Sequence, residues 1–245
     1  MPHLFANRDR MYALTGDVTD PHTRFLWESL NAVLYKLGGG IFMAGSLLFF
    51  PRFAAYQDLG AWLFFAGSQL YLVVTLHDLL EALAYRRRSL HKGRRSDLEL
   101  LAAAVYLVGT LLFTVGSVFF LSQIGWFAAG AWCFVVGSLL FVVGASINIL
   151  LIVHARTLVT MQLMNLTAVA FVVGSVLFAV ASVPYLWTVE DRTDRLTLYA
   201  FLAWQYLVGS GLFLLGGLFN YWRATLIHRE ERHASGRRRL LPGRR

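Results

Sequence analysis

The sequence predicts an all-α integral membrane protein of six transmembrane helices, paired as three parallel two-helix hairpins. Three features carry that expectation: apolar blocks long enough to cross a bilayer, arginine concentrated in alternate connections, and a Gly-Ser pair that recurs once in every block. Of the 245 residues 57% are hydrophobic and 15% charged, against roughly 45–50% and about 25% in soluble domains. Such composition excludes a disordered chain. It excludes a disulfide scaffold too, because Cys133 is the only cysteine.

The blocks fall at 30–50, 59–79, 100–121, 126–150, 162–183 and 198–222. Each holds 21 to 25 residues, and about 20 residues rising 1.5 Å apiece span a hydrocarbon core of about 30 Å. The first closes at Phe50-Pro51 and the fifth just before Pro184, where proline stops a helix. Residues 1–27 are polar and hold no stretch of the kind a secretory signal needs. Orientation follows from Lys and Arg. The N-terminal tail, the second and fourth connections and the C-terminal tail hold 18 of them, including Arg86, Arg87, Arg88, Lys92, Arg94 and Arg95. The opposite side holds Arg52, Arg192 and Arg195. The positive-inside rule places both termini in the cytoplasm. The expected division is a cytoplasmic tail at 1–27, hairpins at 28–96, 97–160 and 161–223, and a basic tail at 224–245 that is flexible beyond His228.

The repeat rests on Gly45-Ser46, Gly67-Ser68, Gly116-Ser117, Gly137-Ser138, Gly174-Ser175 and Gly209-Ser210. In the even blocks Trp62, Trp132 and Trp204 precede the glycine by five residues, and Asp78, Asn148 and Asn220 follow it by eleven. In the odd blocks Glu28 and Glu99 lie seventeen before the glycine and Tyr35 and Tyr106 ten before; Thr157 and Met164 occupy those places in the third copy. Small residues at mid-membrane let helices approach closely, and a serine hydroxyl can bond a neighbouring helix or its own carbonyl four residues back. Gly38/Gly45, Gly60/Gly67, Gly109/Gly116 and Gly130/Gly137/Gly144 are seven apart, as are Gly209/Gly216. A period of seven favours left-handed packing. Hairpins that all start and end on one side are parallel repeats; a pseudo-threefold about the membrane normal is their simplest closed arrangement, and a row of hairpins is the alternative.

The first hairpin reads Trp27-Glu28-Ser29-Leu30-Asn31, then Tyr35-Lys36-Leu37-Gly38-Gly39-Gly40, then Gly45-Ser46 through Phe50-Pro51, then Trp62 through Gly67-Ser68. These landmarks resemble the YrhK-like domain, a two-helix module of bacterial membrane proteins, over about residues 26–80. The resemblance implies the hairpin fold and a bacterial inner membrane, and it implies no catalytic residue.

Four side chains are candidates for a polar mouth or pore lining: Lys36, Asp78, Asn148 and Asn220. Lys36 is the only lysine or arginine inside a block; it either faces the bundle or snorkels toward headgroups or Glu28. The other three form a polar ring at a cytoplasmic mouth, or bond loose carbonyls at helix ends. Arg86 to Arg88 can offset the unfavourable helix-end position of Asp78. His77 and Glu81 share a helical face, but two ligands make no metal site, and they read as interfacial groups; His77 with His154 is weaker still as a haem pair. Trp62, Trp126, Trp132, Tyr185, Trp187 and Trp204 read as an outer interfacial belt, with Trp27 and Trp222 at the inner side. Arg86, Arg87, Arg88, Arg94 and Arg95, with Arg237, Arg238 and Arg239, are the expected contacts with anionic lipid. No nucleophile motif, phosphate loop or paired carboxylates stand within a block, and no metal or cofactor is called for. The expected function is a non-enzymatic structural or partner-binding module of the inner membrane, with a membrane or cytoplasmic protein as partner and no nucleic acid. A channel or transporter for a small ion or solute is the alternative.

Overall fold

The computed structural model describes residues 21–88, 93–151 and 157–240, all-helical with connecting turns. The helices are α1 (Pro21–Leu48), α2 (Gln57–Arg88), α3 (Arg94–Phe119), α4 (Phe127–Leu151), α5 (Leu158–Ser182) and α6 (Arg192–Leu240). Two 3-10 turns, Pro51–Tyr56 and Val183–Leu186, follow α1 and α5. Each contains the proline that ends its helix, since proline tolerates only a first-turn position. The turn after α3 uses Gly125 at φ 66°, where other residues are strained. Thr157 caps α5 by accepting from the Thr160 N–H, and Asp191 caps α6 by accepting from the Thr193 and Asp194 N–H groups.

Five of the six helices are long and apolar enough to cross a membrane. The remaining one, α1, carries Asn31, Lys36 and Gly38 to Gly40 in its apolar stretch, which lowers its hydropathy. Two boundaries differ from expectation. α1 begins at Pro21, inside the stretch expected to be a tail, because Pro21 is well placed at a helix start. α6 runs unbroken to Leu240 where a span ending at Trp222 and a flexible tail were expected. The added stretch is rich in Arg, Glu, Leu and Ala, all good helix formers, and no proline interrupts it.

Consecutive helices pack side by side, and α6 returns to pack on α1, so the six close into a ring. Phenylalanine and tyrosine fill its centre in layers of three. From the end bearing the short connections, the far end, these are Phe49/Phe120/Tyr185, then Phe64/Phe134/Tyr206, then Phe42/Phe113/Phe178, then Tyr71/Phe141/Phe213, then Tyr35/Tyr106/Phe171. Ring centroids within the second layer lie 5.9, 5.9 and 6.4 Å apart, and within the third 6.4, 6.2 and 5.6 Å. The layers alternate between odd and even helices because the side chains supplying them recur every seven residues along each helix.

The layers correct the expected register of α5. Phe178, not Phe171, joins Phe42 and Phe113, and Phe171 joins Tyr35 and Tyr106 at 5.9 and 5.6 Å. The structural counterpart of Gly45-Ser46 in α5 is therefore Ala181-Ser182, one heptad beyond Gly174-Ser175. The physical reason is ring packing: the shift puts Phe171, Phe178 and Tyr185 on the axis, whereas the Gly-Ser alignment would have put Met164 there. Tyr185 accordingly packs on the axis, edge-on to Phe120.

Glycine sets how near the helices stand. A methyl group on Gly45 would lie 2.9 Å from the Phe64 ring, and one on Gly67 would lie 3.1 Å from Phe42. Gly116 faces Phe134 and Gly137 faces Phe113 in the same reciprocal way, as do Gly174 with Phe213 and Gly209 with Phe178. The serines beside them are buried, and Ser46, Ser68, Ser117 and Ser175 donate to the carbonyl four residues back at 2.7–2.8 Å. Ring closure uses the same devices: Ser46 and Ser210 hydroxyls meet at 3.1 Å, and Gly39 lies against the Leu214 backbone.

Adjacent glycines of α1 give an internal contrast. A Cβ on Gly39 would fall 2.9 Å from the Leu214 nitrogen, which cannot turn aside, while one on Gly40 meets nothing within 4 Å. Gly39→Ala is expected to destabilise by about 1–3 kcal/mol, and Gly40→Ala to be neutral or to stabilise by up to about 1 kcal/mol. Thermal melts of both variants in one detergent check the pair.

Candidate functional site

The axis changes character at the end where α1 begins and α6 runs on, the basic end. One heptad beyond Tyr71, Phe141 and Phe213 come Asp78, Asn148 and Asn220, all buried. One heptad beyond Tyr35, Tyr106 and Phe171 come Glu28, Glu99 and Met164, of which Glu99 and Met164 are buried and Glu28 half-buried. The seams that carry rings through the middle of the ring of helices thus carry carboxylates and amides at this end. Asn148 donates its side-chain N–H to the Tyr106 hydroxyl at 3.2 Å, joining the amide layer to the last aromatic one.

Further polar groups surround these layers. Glu81 is 0% exposed and His77 4%. α2 continues to Arg88, and both side chains are buried in the packed bundle. His77 Nδ1 lies 3.4 Å from the Asn31 side-chain nitrogen, and its ring stacks on Trp27 at 5.1 Å. Trp27, half-buried on that histidine, is a packing residue as well as an interfacial one. Arg223 of α6 is buried among them, and none of Glu28, Asp78, Glu81, Glu99 or Arg223 lacks an interaction partner. Burial of so many ionisable groups requires this, because a charge taken from water unpaired is costly. His154 lies outside the described residues. Among the described residues no group of three His, Cys, Asp or Glu is placed to hold a metal ion.

Lys36 is held at a seam between helices. Its Nζ sits 3.7 Å above the Tyr221 ring, a cation–π contact across the α1–α6 seam. Its stem packs where a Cβ on Gly217 would lie, 3.0 Å from Cγ. The polar candidates are therefore not one ring. Asp78, Asn148 and Asn220 share a layer of the seams, and Lys36 stands at a helix–helix boundary.

The arginines divide by burial. Arg86 bridges Asp97 at 3.2 Å, tying α2 to α3, and Arg95 lies 4.0 Å from Glu99. Arg87 and Arg94 are exposed. The side chains of Arg88, Arg237, Arg238 and Arg239 lie outside those described. Trp62, Trp126, Trp132, Trp187, Trp204 and Trp222 are all more than half exposed on the outer surface of the ring.

Between the ends the axis is filled. Its central cavity measures about 10 Å³ and is walled by Phe42, Tyr71, Phe113, Phe141, Phe171 and Phe213, at the lower limit of the space one water needs. The Ser68 and Thr110 hydroxyls beside it are turned to their own helix carbonyls at 2.8 Å. At the far end the seams open into a cleft of about 700 Å³ between Gln57, Trp126, Phe127, Tyr185 and Tyr199. Sequence reading missed Glu81 and Arg223 as buried groups and Tyr71 as an axial one. The seven-residue recurrence of Phe and Tyr was the available signal.

Burial separates two arginines in a way mutation can read. Arg223→Met removes a buried, partnered cation and is expected to cost about 3–5 kcal/mol. Arg86→Met removes an exposed bridge and is expected to cost about 1 kcal/mol or less. Equilibrium unfolding of both in mixed micelles measures the difference; equal losses would contradict the burial of Arg223.

No curated protein and no solved structure matches the chain. A family model described as YrhK-like protein matches residues 26–83 and again 96–152. The first match covers most of α1 and α2 and the second covers α3 and α4. The same family model matched twice, over two hairpins that pack alike, is consistent with a repeated YrhK-like module in this chain.

Proposed function

We propose that this chain is a non-enzymatic module of the bacterial inner membrane, built to hold a fixed shape and to present it to lipid and to a protein partner, not to conduct a solute. The observation that supports the reading is the filled axis: five successive layers of rings leave a central cavity of about 10 Å³. A transport path needs polar groups along its length or helices broken at mid-membrane. The described helices run unbroken through the ring layers.

In this reading α1 is the sixth span, since it packs in the ring between α2 and α6 and supplies Phe42 to the central layer. The pair α5–α6 is a third hairpin of the same kind, displaced by one heptad. The three hairpins are parallel, related by a pseudo-threefold along the membrane normal, and packed with left-handed crossings as the seven-residue period favours. The basic end is cytoplasmic, with both termini, by the positive-inside rule. There Arg87 and Arg94, with Arg86 and Arg95 beside them, meet anionic headgroups, each basic residue near the surface contributing about 1 kcal/mol.

A channel or transporter remains the second reading, favoured by the buried Asp78, Asn148 and Asn220 at one end of the axis. Liposomes holding the purified protein and entrapped pH- and potassium-sensitive dyes separate the two. Flux no greater than in empty vesicles, at both polarities, is expected. Flux above that level which Asp78→Ala and Lys36→Ala both alter would replace the module with a pore.

A further inference from the structure

The α5–α6 pair lacks one contact that the other two hairpins share. Seven residues before the glycine of its Gly-Ser pair, α2 carries Gly60 and α4 carries Gly130, whereas α6 carries Leu202. A Cβ on Gly60 would lie 3.2 Å from the Gly45 carbonyl oxygen, and one on Gly130 would lie 3.1 Å from that of Gly116. Backbone therefore meets backbone at this level in the first two hairpins. In α5 the counterpart of Gly45 is Ala181. Leucine and alanine, both buried, thus stand where two glycines meet elsewhere, and their bulk keeps the backbones apart. A groove of about 380 Å³ opens there, walled by Val180, Val183, Leu198 and Leu202, with Trp187 toward the far end and Gln205 at its inner end. Its surface is almost wholly apolar. Val180 and Trp187 are exposed on the outer surface of the ring of helices, so the groove faces away from the axis.

Charge marks the mouth of this groove. The far-end connections hold three lysines or arginines, Arg52, Arg192 and Arg195, and two of them stand here. Arg195 precedes Leu198 by three residues and Leu202 by seven, which puts all three on one face of α6. It is exposed, about one turn above the groove. Glu190 and Asp194 are exposed beside the two arginines. We propose that a phospholipid with a zwitterionic headgroup seats here as a fixed component, one acyl chain in the groove and its phosphate on Arg195. A hydrocarbon chain gains dispersion contact along the apolar walls. Arginine offers a phosphate charge-assisted hydrogen bonds, and the neighbouring carboxylates suit an ammonium on the same headgroup. Trp187 sits between chain and headgroup, as tryptophan does at membrane interfaces. The site rests on the reading of α5 and α6 as membrane spans, and it is independent of whether the axis conducts.

Native mass spectrometry of the full chain, delipidated in detergent and then offered palmitoyl-oleoyl phosphatidylethanolamine, tests the site. One lipid per chain should be retained, several-fold more firmly than diacylglycerol with the same two chains. Val180→Trp fills the groove at an exposed position where folding is not at stake, and Arg195→Gln removes the phosphate partner. Each should weaken retention several-fold, while Arg52→Gln, on the same side but outside the groove, should leave it unchanged. Retention unaltered by Val180→Trp overturns the proposal. So does equal retention of diacylglycerol, or a loss with Arg52→Gln as large as with Arg195→Gln. Reconstitution into liposomes checks the membrane reading separately: a chain that inserts and yet retains no lipid sinks this site alone.

Discussion

Everything in this structure depends on glycine standing opposite an aromatic ring. At Gly45 and Phe64, and again at Gly67 and Phe42, each helix of a pair offers a gap that the other fills with a ring. In lipid no hydrophobic drive brings helices together, so dispersion contact at close approach must do so. The arrangement obtains it twice per hairpin, since the missing Cβ admits the ring and the ring then points at the axis. The carbonyl of one glycine lies close to the facing glycine too, Gly137 to Gly109 and Gly174 to Gly209 among them. Helix spacing and core filling are thus one constraint. A methyl at these glycines would both part the helices and displace a ring from its layer.

The same constraint explains why the polar residues collect at one end. Seams that recur every seven residues lead inevitably from the ring layers to whatever stands a heptad further on. At the far end that is Gln57, Phe127 and Tyr199, around an open cleft. At the basic end it is Asp78, Asn148 and Asn220, then Glu28, Glu99 and Met164. Ionisable groups there are tolerable because each has a partner, and α2 and α6 extend past the apolar blocks to carry the buried Glu81 and Arg223 about one turn beyond Asp78 and Asn220. The charged end is a built part of the bundle, and its burial is supported by partners and not by the aromatic core.

Much of this was legible in the chain. The apolar blocks, the Gly-Ser pairs and the period of seven are local features, and local features survive in sequence. The register of α5 was not legible by the same means. Gly174-Ser175 looks like every other pair, and nothing local says that Ala181-Ser182 takes its place. What decides the register is the contact of Phe178 with Phe42 and Phe113, supplied by helices more than 50 residues away. The burial of Glu81 and Arg223 was hidden for a related reason. A charge one or two residues past an apolar block reads as interfacial, and only the continued packing of a long helix buries it. Lys36 shows the limit from another direction, because its partner Tyr221 lies across the seam that closes the ring.

Ring closure carries the last step of the synthesis. A row of hairpins would leave two helices each with one unpartnered face, and α1 and α6 would be those helices. Instead Gly39 fits the Leu214 backbone, Gly217 faces Tyr35 and Lys36, and Ser46 meets Ser210. Beside the glycine-on-ring contact of Gly217 with Tyr35, the seam adds contacts of other kinds. The closing seam uses a glycine against backbone, a hydroxyl pair and a cation over a ring. Such contacts are specific in geometry and depend little on apolar area, which suits a seam whose task is to select one closure from several possible orders of helices. It is also where Lys36 is held off the axis, since Tyr221 takes the ammonium at the boundary and leaves the axis to the rings.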